Sequence, residues 1–201
     1  MFLSFDGVDG SGKSTQIRLL ADALRAAGRD VVTCRDPGGT ALGERLREIL
    51  LNRHDVPIHR RAEMLLYMAS RAQLVEEVIR PALAAGKLVI SDRYLLANVV
   101  YQAHGGGLSP DEVWKVGEIT VAGILPNRVF LLDMPAESAA KRIQREHDRM
   151  ESQGIDYLNK VREGFLKEAS RFPQHVTTIN ADRSIEAVHA EVLQEVERTF
   201  P

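Results

Sequence analysis

The chain has 201 residues, a formal net charge of −2 and one cysteine, Cys34. That length supports one buried α/β core without a second domain. The charge balance argues against a protein held on nucleic acid by phosphate neutralisation, and the lone cysteine excludes an internal disulfide. No apolar run approaches the roughly 18 residues that span a bilayer, and the opening Met1-Phe2-Leu3-Ser4-Phe5-Asp6 lacks the order of a signal peptide. The expectation is a soluble cytoplasmic protein with neither membrane nor nucleic-acid partners.

Short β-rich runs alternate with helical patterns, and five strands are predicted: Phe2 to Phe5, Val31 to Cys34, Leu88 to Ser91, Val129 to Leu132 and Val176 to Ile179. This alternation predicts a five-stranded parallel sheet covered by helices on both faces. Ligands bind beyond the carboxyl ends of such strands. After the first strand comes Gly7-Val8-Asp9-Gly10-Ser11-Gly12-Lys13-Ser14-Thr15, which satisfies G-x-x-x-x-G-K-S/T. Lying between a predicted strand and an amphipathic stretch (Ile17, Leu19, Leu20, Ala23, Leu24), it reads as a phosphate-binding loop rather than an unliganded glycine turn. Its backbone N–H groups cradle polyphosphate oxygens, Lys13 supplies charge to the β- and γ-phosphates, and Ser14 supplies a hydroxyl to Mg²⁺.

After the second strand stands Arg35-Asp36-Pro37-Gly38-Gly39-Thr40, with Thr40 expected to cap a helix through Leu51. A helical pattern from about Arg61 to Ala85 contains Pro81, which is expected to kink it or to end one helix and begin another. Within it, Tyr67 and Arg71 are four apart and share a face. A ring beside a guanidinium can form a base slot that accepts the O4 of thymine or uracil. Cytosine would meet it with an amino group, and leaving a buried donor unpaired costs about 1 to 3 kcal/mol. The alternative is an ordinary core edge with a solvated tip.

After the third strand, Asp92-Arg93-Tyr94 sets a carboxylate for Mg²⁺ beside a guanidinium for a second phosphate; an ion pair at the strand end is the alternative. Gly105-Gly106-Gly107 reads as a flexible turn, and Ser109-Pro110-Asp111-Glu112 as a helix start. The charged segment Glu137 to Gln153 follows the fourth strand and Asp133. Its basic cluster, Lys141, Arg142, Arg145 and Arg149, fits a solvated helix or a segment that closes over a nucleotide. In phosphoryl transfer one well-placed arginine contributes about 10³ to 10⁵ in rate. The six histidines show no metal-ligand spacing, Cys34 reads as a small buried residue, and Trp114 as a packing or interface residue.

Taken together, the Gly7 to Thr15 loop, Arg35 to Thr40, Leu65 to Gln73, Asp92-Arg93-Tyr94 and Tyr101-Gln102 followed by glycines resemble the thymidylate kinase family over nearly the whole chain. The resemblance implies a nucleoside-monophosphate-kinase-like P-loop fold, one domain over 1–201 with a lid at about 137–155, and phosphorylation of dTMP by ATP with Mg²⁺ in dTTP biosynthesis. It also implies a homodimer. Asp9 looks like the carboxylate that senses the deoxyribose 3′-hydroxyl and helps organise Mg²⁺. Tyr67 takes the place of the ring stacked on thymine, Arg71 that of the donor to O4, and Arg93 that of the arginine on the dTMP phosphate. Asn98 and Gln102 fall near the base, Tyr101 where bulk disfavours a 2′-hydroxyl, and Pro37 on the pocket wall. With no arginine in the loop, the catalytic arginine is expected among Arg142, Arg145 and Arg149, as in bacterial members of this type. Asp36 stands where glutamate is common and Ala97 where serine is common. A kinase for dUMP or UMP is the nearest alternative, and a nucleotide-dependent switch without transfer is the alternative from another class.

Overall fold

The computed structural model describes residues 1–51, 57–143, 149–150 and 153–199. Five strands form one sheet: β1 (Phe2–Asp6), β2 (Val31–Arg35), β3 (Leu88–Asp92), β4 (Arg128–Asp133) and β5 (Val176–Asn180). Their order is β2-β3-β1-β4-β5, and every pairing is parallel. All five predicted strands are present. Each runs one residue further at its carboxyl end, so the strands terminate in Asp6, Arg35, Asp92, Asp133 and Asn180. The chain moves outward from β1 first to one side and then to the other, so the strand order reverses beside β1, where β3 lies next to it. Such a reversal opens a crevice at the strand ends.

The described residues also hold helices α1 (Lys13–Ala26), α2 (Ala41–Leu51), α3 (Arg60–Leu74), α4 (Arg80–Ala84), α5 (Leu95–Asn98), α6 (Pro110–Val121), α7 (Ala136–Lys141), α8 (Ile155–Arg171) and α9 (Ile185–Thr199). Alternation along β1 sends Leu3 and Phe5 into one apolar cluster with Leu20, Phe130, Phe165 and Val192. Phe2 points into a second cluster with Met68, Val75, Val89, Tyr94 and Val113. Both faces of the sheet are therefore buried, and each such side chain contributes about 1.5 to 3 kcal/mol.

Thr40 caps α2 as expected, its hydroxyl accepting from the Gly43 N–H at 2.9 Å. Ser109 precedes α6, but its side chain makes no capping bond. Pro81 neither kinks nor ends its helix. A π turn, Val75–Ile79, joins α3 to α4, and the Arg80 N–H reaches back to the Val75 carbonyl. Widening the helix by one residue just before Pro81 receives the ring without breaking the helix. A second π turn, Val99–Gly105, continues α5. It ends in a glycine run that is close-packed rather than merely flexible: a Cβ on Gly105 would stand 2.8 Å from the Tyr157 ring, and one on Gly106 would stand 2.5 Å from the Gln102 carbonyl.

Asp6 lies at the centre of the carboxyl edge, wholly buried, with neither carboxylate oxygen hydrogen-bonded to the protein. Burial pushes its carboxyl up to about 7, against the pull of Arg93 and Lys13. The unfolded chain releases this proton near its ordinary value of 3.8, whereas the folded chain holds it until about 7. Stability from this group is therefore lost as pH rises between those values, in total on the order of 4 kcal/mol. Asp6→Asn cannot titrate, so its urea midpoint should gain on the wild type from pH 4 to pH 8 and change little above that. A gain independent of pH would contradict the assignment.

Candidate active site

The phosphate loop leaves β1 and enters α1 through Gly12, which has φ 94° in the left-handed region. A side chain at Gly10 is impossible, because its Cβ would stand 2.2 Å from the Ala139 carbonyl of α7. Asp9 to Gln16 line a cleft of about 720 Å³ together with Arg35, Asp36, Arg47, Asp92, Arg93 and Arg142. Val8 belongs to the core. Lys13 is buried, and its ammonium donates to the Gly7 carbonyl at 3.2 Å and the Val8 carbonyl at 3.0 Å. Burial, and then the neighbouring Arg93, lower its affinity for the proton. At the cleft wall the Ser14 hydroxyl donates to Asp92 Oδ2 at 3.1 Å.

Arg93 follows β3 with φ 68°, a backbone region that non-glycine residues seldom adopt outside functional sites. This turn aims its guanidinium at the loop. Nη1 donates to the Gly7 carbonyl at 2.9 Å, and Nη2 donates to Asp9 Oδ1 at 2.8 Å and to the Tyr101 hydroxyl at 3.1 Å. Tyr101 closes the triangle by donating to Asp9 Oδ2 at 3.2 Å. Burial alone would raise the Asp9 carboxyl, but Arg93 and Lys13 hold it well below the usual carboxylate range.

A smaller cavity of about 90 Å³ adjoins the cleft, sharing Asp9, Asp36, Arg47 and Arg93 with it. Pro37, Tyr67, Arg71, Asn98, Tyr101 and Gln102 all line this second cavity. Arg71 is fully buried and donates to Asp36 Oδ2 at 2.6 Å and to Asn98 Oδ1 at 3.0 Å. Burial pushes the Asp36 carboxyl up, and Arg71 works against that. The two amides then join head to tail, Asn98 Nδ2 donating to Gln102 Oε1 at 2.6 Å.

The three arginines grouped by sequence do not lie together. Arg142 lines the cleft, 3.6 Å from Asp182. Arg149 turns away, donating to the Leu50 carbonyl at 2.8 Å and to the buried carboxylate of Glu63. Arg145 lies outside the described residues. Sequence reasoning passed over Arg47, which stands between the two cavities and donates to the Pro37 carbonyl at 2.9 Å. It also passed over Ala181, Arg183, Ser184, Ile185 and Val188, which line the far side of the cleft. The rule that ligands meet strand ends points at this stretch after β5, but no motif marks it. Cys34 is half-buried, with burial raising its thiol to about 11, which suits packing rather than nucleophilic chemistry. Among the described residues no group of three or more His, Cys, Asp or Glu could hold a metal ion alone. Ser14 and Asp92 supply two oxygens to a cation that takes its other ligands from water and phosphate, which is the Mg²⁺ pattern.

Residues 5–192 match the family model described as thymidylate kinase. The thymidylate kinase of Rhodopirellula baltica is 47% identical over 195 residues, covering 97% of this chain and 79% of the relative. That of Kosmotoga olearia is 43% identical, covering 97% of this chain and 94% of the relative. The crystal structure of thymidylate kinase from Ehrlichia chaffeensis superposes with a TM-score of 0.80 at 28% identity, each chain being 98% covered. A phosphate loop facing a second, base-sized cavity across Asp9 and Arg93 thus occurs on a matching fold with matching sequence, and the chain belongs to the thymidylate kinase family.

Proposed function

We propose that this chain transfers the γ-phosphoryl group of ATP to dTMP. The observation that carries the reading is the shared wall of Asp9, Arg93, Asp36 and Arg47 between the phosphate-loop cleft and the smaller cavity. A donor polyphosphate on the loop and an acceptor monophosphate in the cavity meet at that wall. ADP formation from Mg-ATP with dTMP, dUMP, UMP, dCMP, dGMP or no acceptor tests this, with the product confirmed by mass. Preference for dTMP is expected. Hydrolysis without any acceptor would favour the switch reading.

The acceptor phosphate is already anionic at neutral pH, so the work of the site is alignment of two polyanions and stabilisation of migrating charge. The loop amides and Lys13 hold the donor, Arg93 faces the acceptor phosphate, and Arg142 is the described lid arginine on the cleft. Mg²⁺, held through Ser14 and Asp92 with Asp9 on the acceptor side, would offset phosphate charge when bound. Tyr67 stacks on the base, Arg71 donates to O4, Asn98 and Gln102 meet the rest of its edge, Tyr101 crowds the 2′ position, and Pro37 completes the wall. We read 1–201 as one cytoplasmic kinase domain with its lid segment at about 137–155, working as a homodimer. Exposed Leu65 and Ile119 on the packed helices α3 and α6 support the dimer.

Arg93→Lys keeps the charge but loses the planar fork that spans Gly7, Asp9 and Tyr101. Its kcat/KM for dTMP should fall about 100-fold, with the KM for ATP nearly unchanged; equal loss for both substrates would count against the assignment. Asp92→Asn should raise the Mg²⁺ concentration for half-maximal rate about tenfold, read from Mg²⁺ titrations at saturating nucleotide, and an unaltered requirement would remove Asp92 from the cation site.

A further inference from the structure

We propose that Glu63, which lines neither cavity, is a positioning residue for pyrimidine specificity. It sets the polarity of the two amides at the acceptor base. This rests on the reading of the smaller cavity as the base site.

Glu63 is wholly buried in the first turn of α3. Its Oε1 accepts from Gln102 Nε2 at 2.9 Å and lies 3.5 Å from Arg60 Nη1, while its Oε2 accepts from Arg149. The chain of bonds therefore runs Arg71 to Asn98 to Gln102 to Glu63. Arg71 at one end can only donate, and a carboxylate accepting on both oxygens can only accept. With both ends fixed, neither amide can reverse, because reversal would set donor against donor at Arg71 and acceptor against acceptor at Glu63. The oxygens of Asn98 and Gln102 are thereby turned toward the Arg71 end of the chain. A base that carries an N–H between two carbonyls, as thymine and uracil do, meets acceptors there. Cytosine brings a bare ring nitrogen to the same position.

Glutamine at position 63 would break the arrangement without changing its size. Its one carbonyl oxygen would be claimed by the charged, donor-only Arg149, leaving its NH₂ facing the NH₂ of Gln102. Relief requires Gln102 to turn over, and Asn98 after it. Arg149 thus acts as the partner that makes a second acceptor oxygen necessary, so this arginine belongs to the acceptor side of the molecule.

The test compares kcat/KM for dTMP and dCMP in the full chain for the wild type, Glu63→Gln, and Glu63→Gln combined with Gln102→Glu. The double variant moves the carboxylate one step along the chain, and it again accepts from both neighbours. The single variant should lower the dTMP to dCMP ratio at least about tenfold, with the KM for ATP unchanged, and the double variant should recover much of that loss. A uniform fall for both acceptors with the ratio intact would mean a structural role only and overturn the proposal. If the single variant does not fold, the double variant decides: a folded enzyme preferring dTMP supports the proposal, and an unfolded or unselective one overturns it. A wild type that does not prefer dTMP would sink the base-site reading itself, and this inference with it.

Discussion

The site hangs on the turn at Arg93. Its N–H still completes the ladder to β1, donating to the Phe5 carbonyl at 2.9 Å, yet its φ of 68° throws the side chain back over the phosphate loop. Conformations of this kind cost about 1 to 3 kcal/mol. The cost is offset by bonds to Gly7, Asp9 and Tyr101, which join β1, β3 and the second π turn at one point. Because those elements meet where the strand order reverses, one guanidinium fixes the distance between the loop and the cavity beyond it.

Polar groups are buried around this point in unusual number, and most are satisfied by one another. Asp36, Arg71, Asn98, Gln102 and Glu63 form a continuous chain through the interior. Inside a low-dielectric core such a chain is rigid when complete and costly when interrupted. The exposed ion pairs elsewhere, such as Arg18 with Asp22, contribute little. Rigidity is thus concentrated where a planar ring must be distinguished from near neighbours.

Much of this was legible from the chain. The strands were clear because apolar β-branched runs leave no competing period, and the phosphate loop because its glycines have one mechanical purpose. Tyr67, Arg71, Asn98, Tyr101 and Gln102 entered through family resemblance, and they line one cavity. What stayed hidden depends on partners far away in sequence. Glu63 looked like an ordinary solvated helix residue, because its partners Gln102 and Arg149 lie 39 and 86 residues distant. Arg149 was grouped with Arg142 by local charge, yet the fold sends the two to opposite sides of the site. The response to Pro81 was misjudged for a similar reason: packing of Val75 and Ile79 into the core keeps the helix running through a widened turn where propensity alone expects a break or kink.

The two π turns carry a constraint on how this chain can change over time. A π turn is an α-helix holding one residue too many, and each α residue advances the helix by about 100°. Removing one residue from 99–105 would let the segment close into regular α-helix and swing everything beyond the deletion about a quarter of the way round. Tyr101 and Gln102 face the site from within that stretch, so its length, not only its residue types, encodes their direction. Substitutions here can be sampled singly, but a single-residue deletion would have to be matched by an insertion close by. Drift in this part of the molecule should therefore proceed by exchange of side chains and not by change of length.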